Sequence, residues 1–173
     1  MSVLNSIQNR DKDLLKKINL SLNCKFLDII MVMASYLVSK TSLVIIGLFL
    51  QLVGDKYLSL MVLKCIIALI LSTVAAQIIK RCVSRIRPFL TMNDLNIKKI
   101  GIDKYSFPSG HTTTAFTVAI MVSLFYPNLT FCVMQLAALV GISRMYLGVH
   151  YPTDVLAGAF LGSLTSLLVF NII

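Results

Sequence analysis

Glutamate is absent from this chain of 173 residues, and histidine occurs only twice, as His111 and His150. The seven acidic residues are all aspartates, and charged residues make up only 13% of the total. Between residues 80 and 154 the acids are Asp94, Asp103 and Asp154 alone. That excludes the carboxylate cluster that Mg²⁺ and similar hard cations prefer. Four cysteines, Cys24, Cys65, Cys82 and Cys132, show no metal-ligand spacing, and three lie in or beside apolar runs. They read as small buried hydrophobes. No metal and no cofactor are expected. There is no internal repeat and no low-complexity tract. The chain opens on polar residues rather than a charged segment followed by an apolar one. No cleavable signal peptide is expected, and the first span would act as the insertion signal.

What is present is apolar. Hydrophobic residues make up 57% of the chain, and the mean hydropathy is +0.86. A soluble domain cannot hide that much apolar surface, so the class is integral membrane protein. The length suits one domain spanning residues 1–173. The net charge of +9 is compatible with nucleic acid in principle. In a membrane protein, anionic headgroups and an anionic substrate are the better partners, and no nucleic acid is expected.

Six apolar segments run over 25–39, 41–54, 57–79, 112–127, 130–147 and 154–172. The first two are short and separated only by Ser39-Lys40, as in a tight hairpin or a re-entrant pair. In residues 1–23, Val3, Leu4, Ile7, Leu14, Leu15 and Ile18 fall near one helical face, and Arg10, Lys12, Lys16 and Lys17 fall mostly elsewhere. That is the pattern of an amphipathic helix on a membrane surface. The expected fold is therefore an all-α membrane bundle of six transmembrane helices with an N-terminal amphipathic surface helix. The interruption at 80–111 holds Lys80, Arg81, Arg85, Arg87, Lys98, Lys99 and Lys104. It is too polar for lipid and too long for a simple turn, which marks it as functional.

Both histidines belong to one three-part pattern. Its parts are Lys80-x6-Arg87-Pro88, Pro108-Ser109-Gly110-His111, and Ser143-Arg144-x5-His150-x3-Asp154. Lys80 and Arg87 would share a face if a helix continued through them, with Pro88 ending or kinking it. Arg offers a planar fork for phosphate oxygens and Lys a point charge. Ser109 and Gly110 at a helix start leave backbone N–H groups for an anion. Arg144 near the end of an apolar helix needs an anionic partner. Asp154 can hold one imidazole nitrogen of His150 and leave the other free to attack. Singly, each part has an ordinary reading: a positive-inside flank, a helix cap, a snorkelling Arg. Alternating spans bring all three to one membrane face, and together they fit phosphoryl transfer through a histidine. Which histidine attacks is left open by the residues themselves.

The three parts resemble, without departure, the signature of the type 2 phosphatidic acid phosphatase superfamily of membrane lipid phosphatases. The resemblance implies a metal-independent hydrolase working through a phosphohistidine. His150 would be the nucleophile, Asp154 its orienting partner and His111 the acid for the leaving group. Lys80, Arg87, Ser109, Gly110 and Arg144 would bind the phosphoryl oxygens. Vanadium haloperoxidases share this constellation on a soluble fold, and the hydropathy here argues against that branch. The family places this site on the extracytoplasmic face of the bacterial cytoplasmic membrane, with both termini cytoplasmic. The small size suits undecaprenyl diphosphate as substrate. Phosphatidylglycerophosphate, phosphatidic acid and lipid A phosphate are alternatives, and a non-catalytic membrane protein retaining the fold is a remoter one.

Overall fold

The computed structural model describes residues 3–21, 24–97 and 104–173. Lys98, Lys99 and Asp103 of the 80–111 stretch, and residues 1–2 and 22–23 of the expected surface helix, lie outside the described residues. Within them the chain forms helices α1 (Val3–Ser21), α2 (Lys25–Leu37), α3 (Lys40–Val53), α4 (Lys56–Val83), α5 (Pro88–Thr91), α6 (Gly110–Phe125), α7 (Thr130–Tyr146) and α8 (Pro152–Ile172). A 3₁₀ turn over Pro127–Leu129 precedes α7. No strand occurs among the described residues, only an isolated bridge between Ile86 and Tyr105.

Local chemistry sets several boundaries. The Ser39 hydroxyl accepts the Ser42 N–H at 3.2 Å, and Asp55 Oδ1 accepts the Leu58 N–H at 2.8 Å, capping α3 and α4. Ser84, at φ 50°, turns left-handed and ends α4. Pro88 and Pro152 open α5 and α8, where a missing N–H costs nothing.

Helix α6 sits at the centre, packed on α4, α7 and α8. Gly158 and Gly162 of α8 allow the approach to α6. A Cβ at Gly158 would stand 2.6 Å from the Ser109 carbonyl oxygen, a backbone atom that cannot yield cheaply. Buried hydroxyls join these helices: Thr117 donates to Ser72 at 3.2 Å, and Ser166 donates to the Thr117 carbonyl at 2.8 Å. In an apolar medium such bonds hold helices together where the hydrophobic effect does not.

The bundle has two distinct ends. At one, Ser109, just ahead of α6, donates its N–H to the Asp154 carbonyl of α8 at 3.0 Å. At the other, Phe125 of α6 meets Phe170 of α8 edge-on at 5.5 Å, and Lys64 Nζ donates to the Phe170 carbonyl at 3.1 Å. Helix α2 starts at the first end, where the Tyr146 hydroxyl donates to Asp28 Oδ1 at 2.6 Å. Leu50 of α3 packs on the Met61–Phe125–Val169 cluster at the second. Taken together the pair is long and apolar enough for one candidate span, bent by 57°.

This changes the expected count of six crossings. With 13 and 14 residues, α2 and α3 are each short of the roughly 20 needed for the hydrocarbon core. Helix α4, Pro127–Tyr146 and α8 are long and apolar enough, and the bent pair joins them as a fourth span. Helix α6 is apolar but has 16 residues. It nonetheless reaches from one end of the bundle to the other. Helix α1 docks through Asp11 on Thr153 at the start of α8, so α1 and the C-terminus of α8 lie at opposite ends, not on the same face as expected. Outward side chains such as Leu52, Phe131, Leu156 and Phe160 are exposed and apolar. The protein is an integral membrane protein whose outer surface matches hydrocarbon rather than water.

Helix α1 forms, but its buried edge is not apolar alone. Asp11, Leu15 and Asn19, spaced by four, are buried, while Ile7 and Leu14 stay exposed. Leu15 packs with Met92, Leu95 and Tyr151. Asn19 donates to the carbonyls of Tyr146 and Asn96 and accepts the Asn96 N–H at 2.7 Å. The helix is therefore strapped across the end of the bundle that carries the three-part pattern.

Candidate active site

Every member of the pattern lies at the α1 end. Lys80 is in the last turn of α4 and buried. Arg87 does not continue that helix, contrary to the expectation of a shared helical face. Ser84 breaks α4, and the extended residues 85–87 pair with 104–106 through Ser106 N–H to the Arg85 carbonyl at 2.7 Å and Arg87 N–H to the Lys104 carbonyl at 3.4 Å. Arg87 reaches the site from this loop, just ahead of α5. Ser109 caps α6 by position, but its hydroxyl accepts a hydrogen bond from Thr112 at 2.9 Å instead of closing the helix start. Gly110 and His111 open α6, both partly buried. Arg144 is in the last turn of α7 and buried.

The link between α7 and α8 folds back on α7. The N–H groups of Val149 and His150 both donate to the Arg144 carbonyl, at 3.2 and 3.3 Å. Gly148, at φ 71°, makes the turn, a backbone conformation that glycine adopts without penalty. His150 is thereby buried, 2% exposed.

The environment of the imidazole fixes its tautomer. Arg87 Nη1 lies 3.3 Å from His150 Nε2 and donates to the Val149 carbonyl at 3.1 Å. A guanidinium has no acceptor, so Nε2 must face it with its lone pair. The proton then sits on Nδ1, 3.5 Å from Asp154 Oδ2. Burial is the main force on His150 and pushes its pKa down to about 4; Asp154 opposes this, and Arg87 and Arg144 add to it. An imidazole whose unprotonated Nε2 faces the Arg87 guanidinium has a lone pair chemically able to attack.

Asp154 is fully buried in the first turn of α8. Its Oδ2 accepts the Tyr151 N–H at 2.9 Å and its Oδ1 accepts from Arg85 Nη1 at 2.8 Å. Arg144 Nη1 donates to the Ser35 hydroxyl, while Arg144 Nε is buried with no partner. A buried guanidinium N–H left over is costly. Several buried cations in one place call for an oxyanion. Among the described residues, no three His, Cys, Asp or Glu side chains converge as a metal-ligand set.

Three contributors were not singled out from the sequence. Arg85 was one basic residue among seven in its stretch. Asp11 and Ser35 stand 143 and 109 residues from the Asp154 and Arg144 that they help to hold. The spacing of Asp11, Leu15 and Asn19 by four was the available signal for a docked face in α1.

The chain is similar to known proteins in sequence and in structure. The PAP2 superfamily model matches residues 61–173. The chain is 40% identical over 112 residues to the bacitracin transport permease protein BcrC of Bacillus licheniformis, covering 64% of this chain and 55% of that one. It is 35% identical over 104 residues to an undecaprenyl-diphosphatase of Sulfolobus acidocaldarius, covering 60% of this chain and 50% of that one. The matched stretch thus spans about half the length of these curated relatives. In structure, it superposes on the crystal structure of Aquifex aeolicus LpxE with a TM-score of 0.82 at 29% identity, covering 92% of this chain and 93% of that one.

Proposed function

The chain belongs to the PAP2 superfamily, and from that premise we propose that it is a metal-independent membrane lipid phosphatase acting through a phosphohistidine on His150. The observation that carries this reading is the imidazole itself: buried, with Nε2 facing Arg87 and Nδ1 towards Asp154. In the first step Nε2 attacks phosphorus, the Nε2–P bond forms and the bond to the leaving oxygen breaks. His111 protonates that oxygen and then activates water, which releases phosphate from His150. Lys80, Arg87, Arg144 and the Ser109–Gly110 helix start hold the phosphoryl oxygens and the charge that develops on them. Asp154 stabilises the imidazolium as it forms.

Undecaprenyl diphosphate is the proposed substrate, supported by the name of the Sulfolobus relative. The whole of residues 1–173 serves as one phosphatase domain in the bacterial cytoplasmic membrane, its site on the extracytoplasmic face. The lipid enters laterally, headgroup first. The test is phosphate release by purified protein from undecaprenyl diphosphate, phosphatidylglycerophosphate, phosphatidic acid and lipid A, with EDTA present. Release with the polyprenyl diphosphate preferred is expected. Activity lost in EDTA and restored by one divalent ion would refute metal independence, and preference for another lipid would reassign the substrate.

A further inference from the structure

We propose that Asp11 and Arg85 are positioning residues for this reaction: α1, through the Asp11–Arg85 ion pair, sets how much of the Asp154 carboxylate is left to serve His150. The inference rests on the phosphatase reading and adds to it a part of the chain that lies ahead of the family match, which begins at residue 61.

The geometry is a chain of alternating charge. Arg85 Nη1 donates to Asp154 Oδ1 at 2.8 Å and to the Thr153 hydroxyl at 2.7 Å, while Nη2 donates to Asp11 Oδ2 at 2.6 Å. The guanidinium is stacked over the Tyr151 ring, 3.9 Å from its centre, which fixes its plane. Asp11 Oδ1 accepts the Thr153 N–H at 3.0 Å, and Oδ2 accepts the Thr153 hydroxyl. Asp11 thus caps the start of α8 from another helix, a role that its own N-cap residue Tyr151 does not fill with a side-chain bond to the Thr153 N–H. Asp11 is 4% exposed and Asp154 fully buried. Burying carboxylates at that depth is costly without partners such as these.

Asp154 is therefore shared. One oxygen serves Arg85, and the other takes the Tyr151 N–H and faces His150 Nδ1 at 3.5 Å, longer than a strong hydrogen bond. When Nε2 binds phosphorus, positive charge spreads to the Nδ1 side, and the carboxylate has to respond. An Arg85 with no other anion would pull Asp154 towards itself. Asp11 holds the second arm of Arg85 and limits that pull.

The two substitutions should therefore act in opposite directions. The charged groups facing His150 are Asp154 from α8, Arg87 from the loop before α5 and Arg144 from α7. Asp11→Asn leaves Arg85 to Asp154 alone and should make His150 harder to protonate. Arg85→Gln frees Asp154 and should make it easier. A merely structural role would move both the same way, or neither. The experiment is histidine-ring NMR titration of the full chain in detergent micelles, with His111→Gln to assign the two histidines. Alongside it, kcat and KM are measured on a lipid diphosphate. Asp11→Asn should lower kcat about 10-fold with KM nearly unchanged, and should add little to Arg85→Gln, because coupled residues are not additive. Asp11→Glu should restore most of the loss. If Asp11→Asn does not fold, Arg85→Gln still tests the inference: a shift that makes His150 harder to protonate, or no shift, overturns it. Shifts of the same sign, no shift, or independent multiplying losses in kcat overturn the inference. A wild type that releases no phosphate from any lipid refutes the phosphatase reading instead, and the titrations still decide the ion pair.

Discussion

His150 is a base whose burial favours the neutral form, and this has two measurable consequences. Its pKa of about 4 in the folded protein lies below its ordinary value near 6.5. The unfolded chain therefore takes up the proton first as pH falls. The stability that comes from burying the neutral ring is complete above about pH 6.5 and is lost as pH falls from there towards 4. His150→Gln should flatten the pH dependence of unfolding in detergent over that window; a curve unchanged by the substitution would show that another group titrates there. In kinetics, the acid limb of kcat/KM should fall well below pH 6, since the nucleophile stays unprotonated until then. His111→Ala should cost ~10²–10⁴-fold on a lipid alkoxide leaving group and much less on an activated aryl phosphate, whose oxygen needs little help from an acid. Equal losses on both substrates would remove His111 from that role. At this scale much of the candidate site could be read from the sequence. Lys80, Arg87, Arg144 and the two histidines are conspicuous because charge is rare and costly in an apolar chain. Ser35, Asp11 and Arg85 were hidden for the opposite reason: each is an ordinary polar residue until packing sets it against a partner far along the chain.

At the scale of elements, the α6–α8 contact carries the site, because it sets the start of α6 against Asp154. Gly158→Ala should cost about 1–3 kcal/mol by overpacking and should also reduce turnover, since its Cβ would press on the backbone that positions Ser109 and Thr113. Gly47 in α3 is the control: a Cβ there meets nothing within 4 Å. Gly47→Ala should be neutral or slightly stabilising by helix propensity. Thermal unfolding of both variants in detergent checks the pair, and equal effects would contradict the packing argument. The helices themselves were legible from apolar runs and turn residues, within a few positions. The end of α4 was not, because nothing in Val83-Ser84-Arg85 forbids a helix, and only the pairing of 85–87 with 104–106 draws the chain away. The surface pattern of α1 was legible as a helix but not as a docked one. Its buried edge mixes Asp11 and Asn19 with Leu15, and a hydrophobicity pattern has no way to credit buried polar residues that find partners.

For the whole molecule, the membrane class was legible in the sequence, whereas helix length and apolarity support three or four spans of the six expected. Two short apolar runs parted by a Ser-Lys pair look alike whether the chain reverses or only bends. In the structure the two helices α2 and α3 follow one another with a bend of 57°. The bundle then has α1 at one face and the end of α8 at the other. In a chain with Cys24 as its sole thiol, a membrane-impermeant maleimide should label intact cells from outside. A single Cys placed at Asn128, in the exposed turn between α6 and α7, should stay protected until the membrane is opened. Labelling of both from one side would contradict this topology. The central claim is that His150 carries phosphate during turnover of a lipid substrate. The most direct measurement is rapid acid-free quenching of the protein with a ³²P-labelled lipid diphosphate in EDTA, followed by peptide mapping. The account predicts an acid-labile, base-stable label on the peptide containing His150, absent in His150→Ala. A wild type that turns over substrate with no label at His150, or a His150→Ala variant that still traps phosphate, would contradict it.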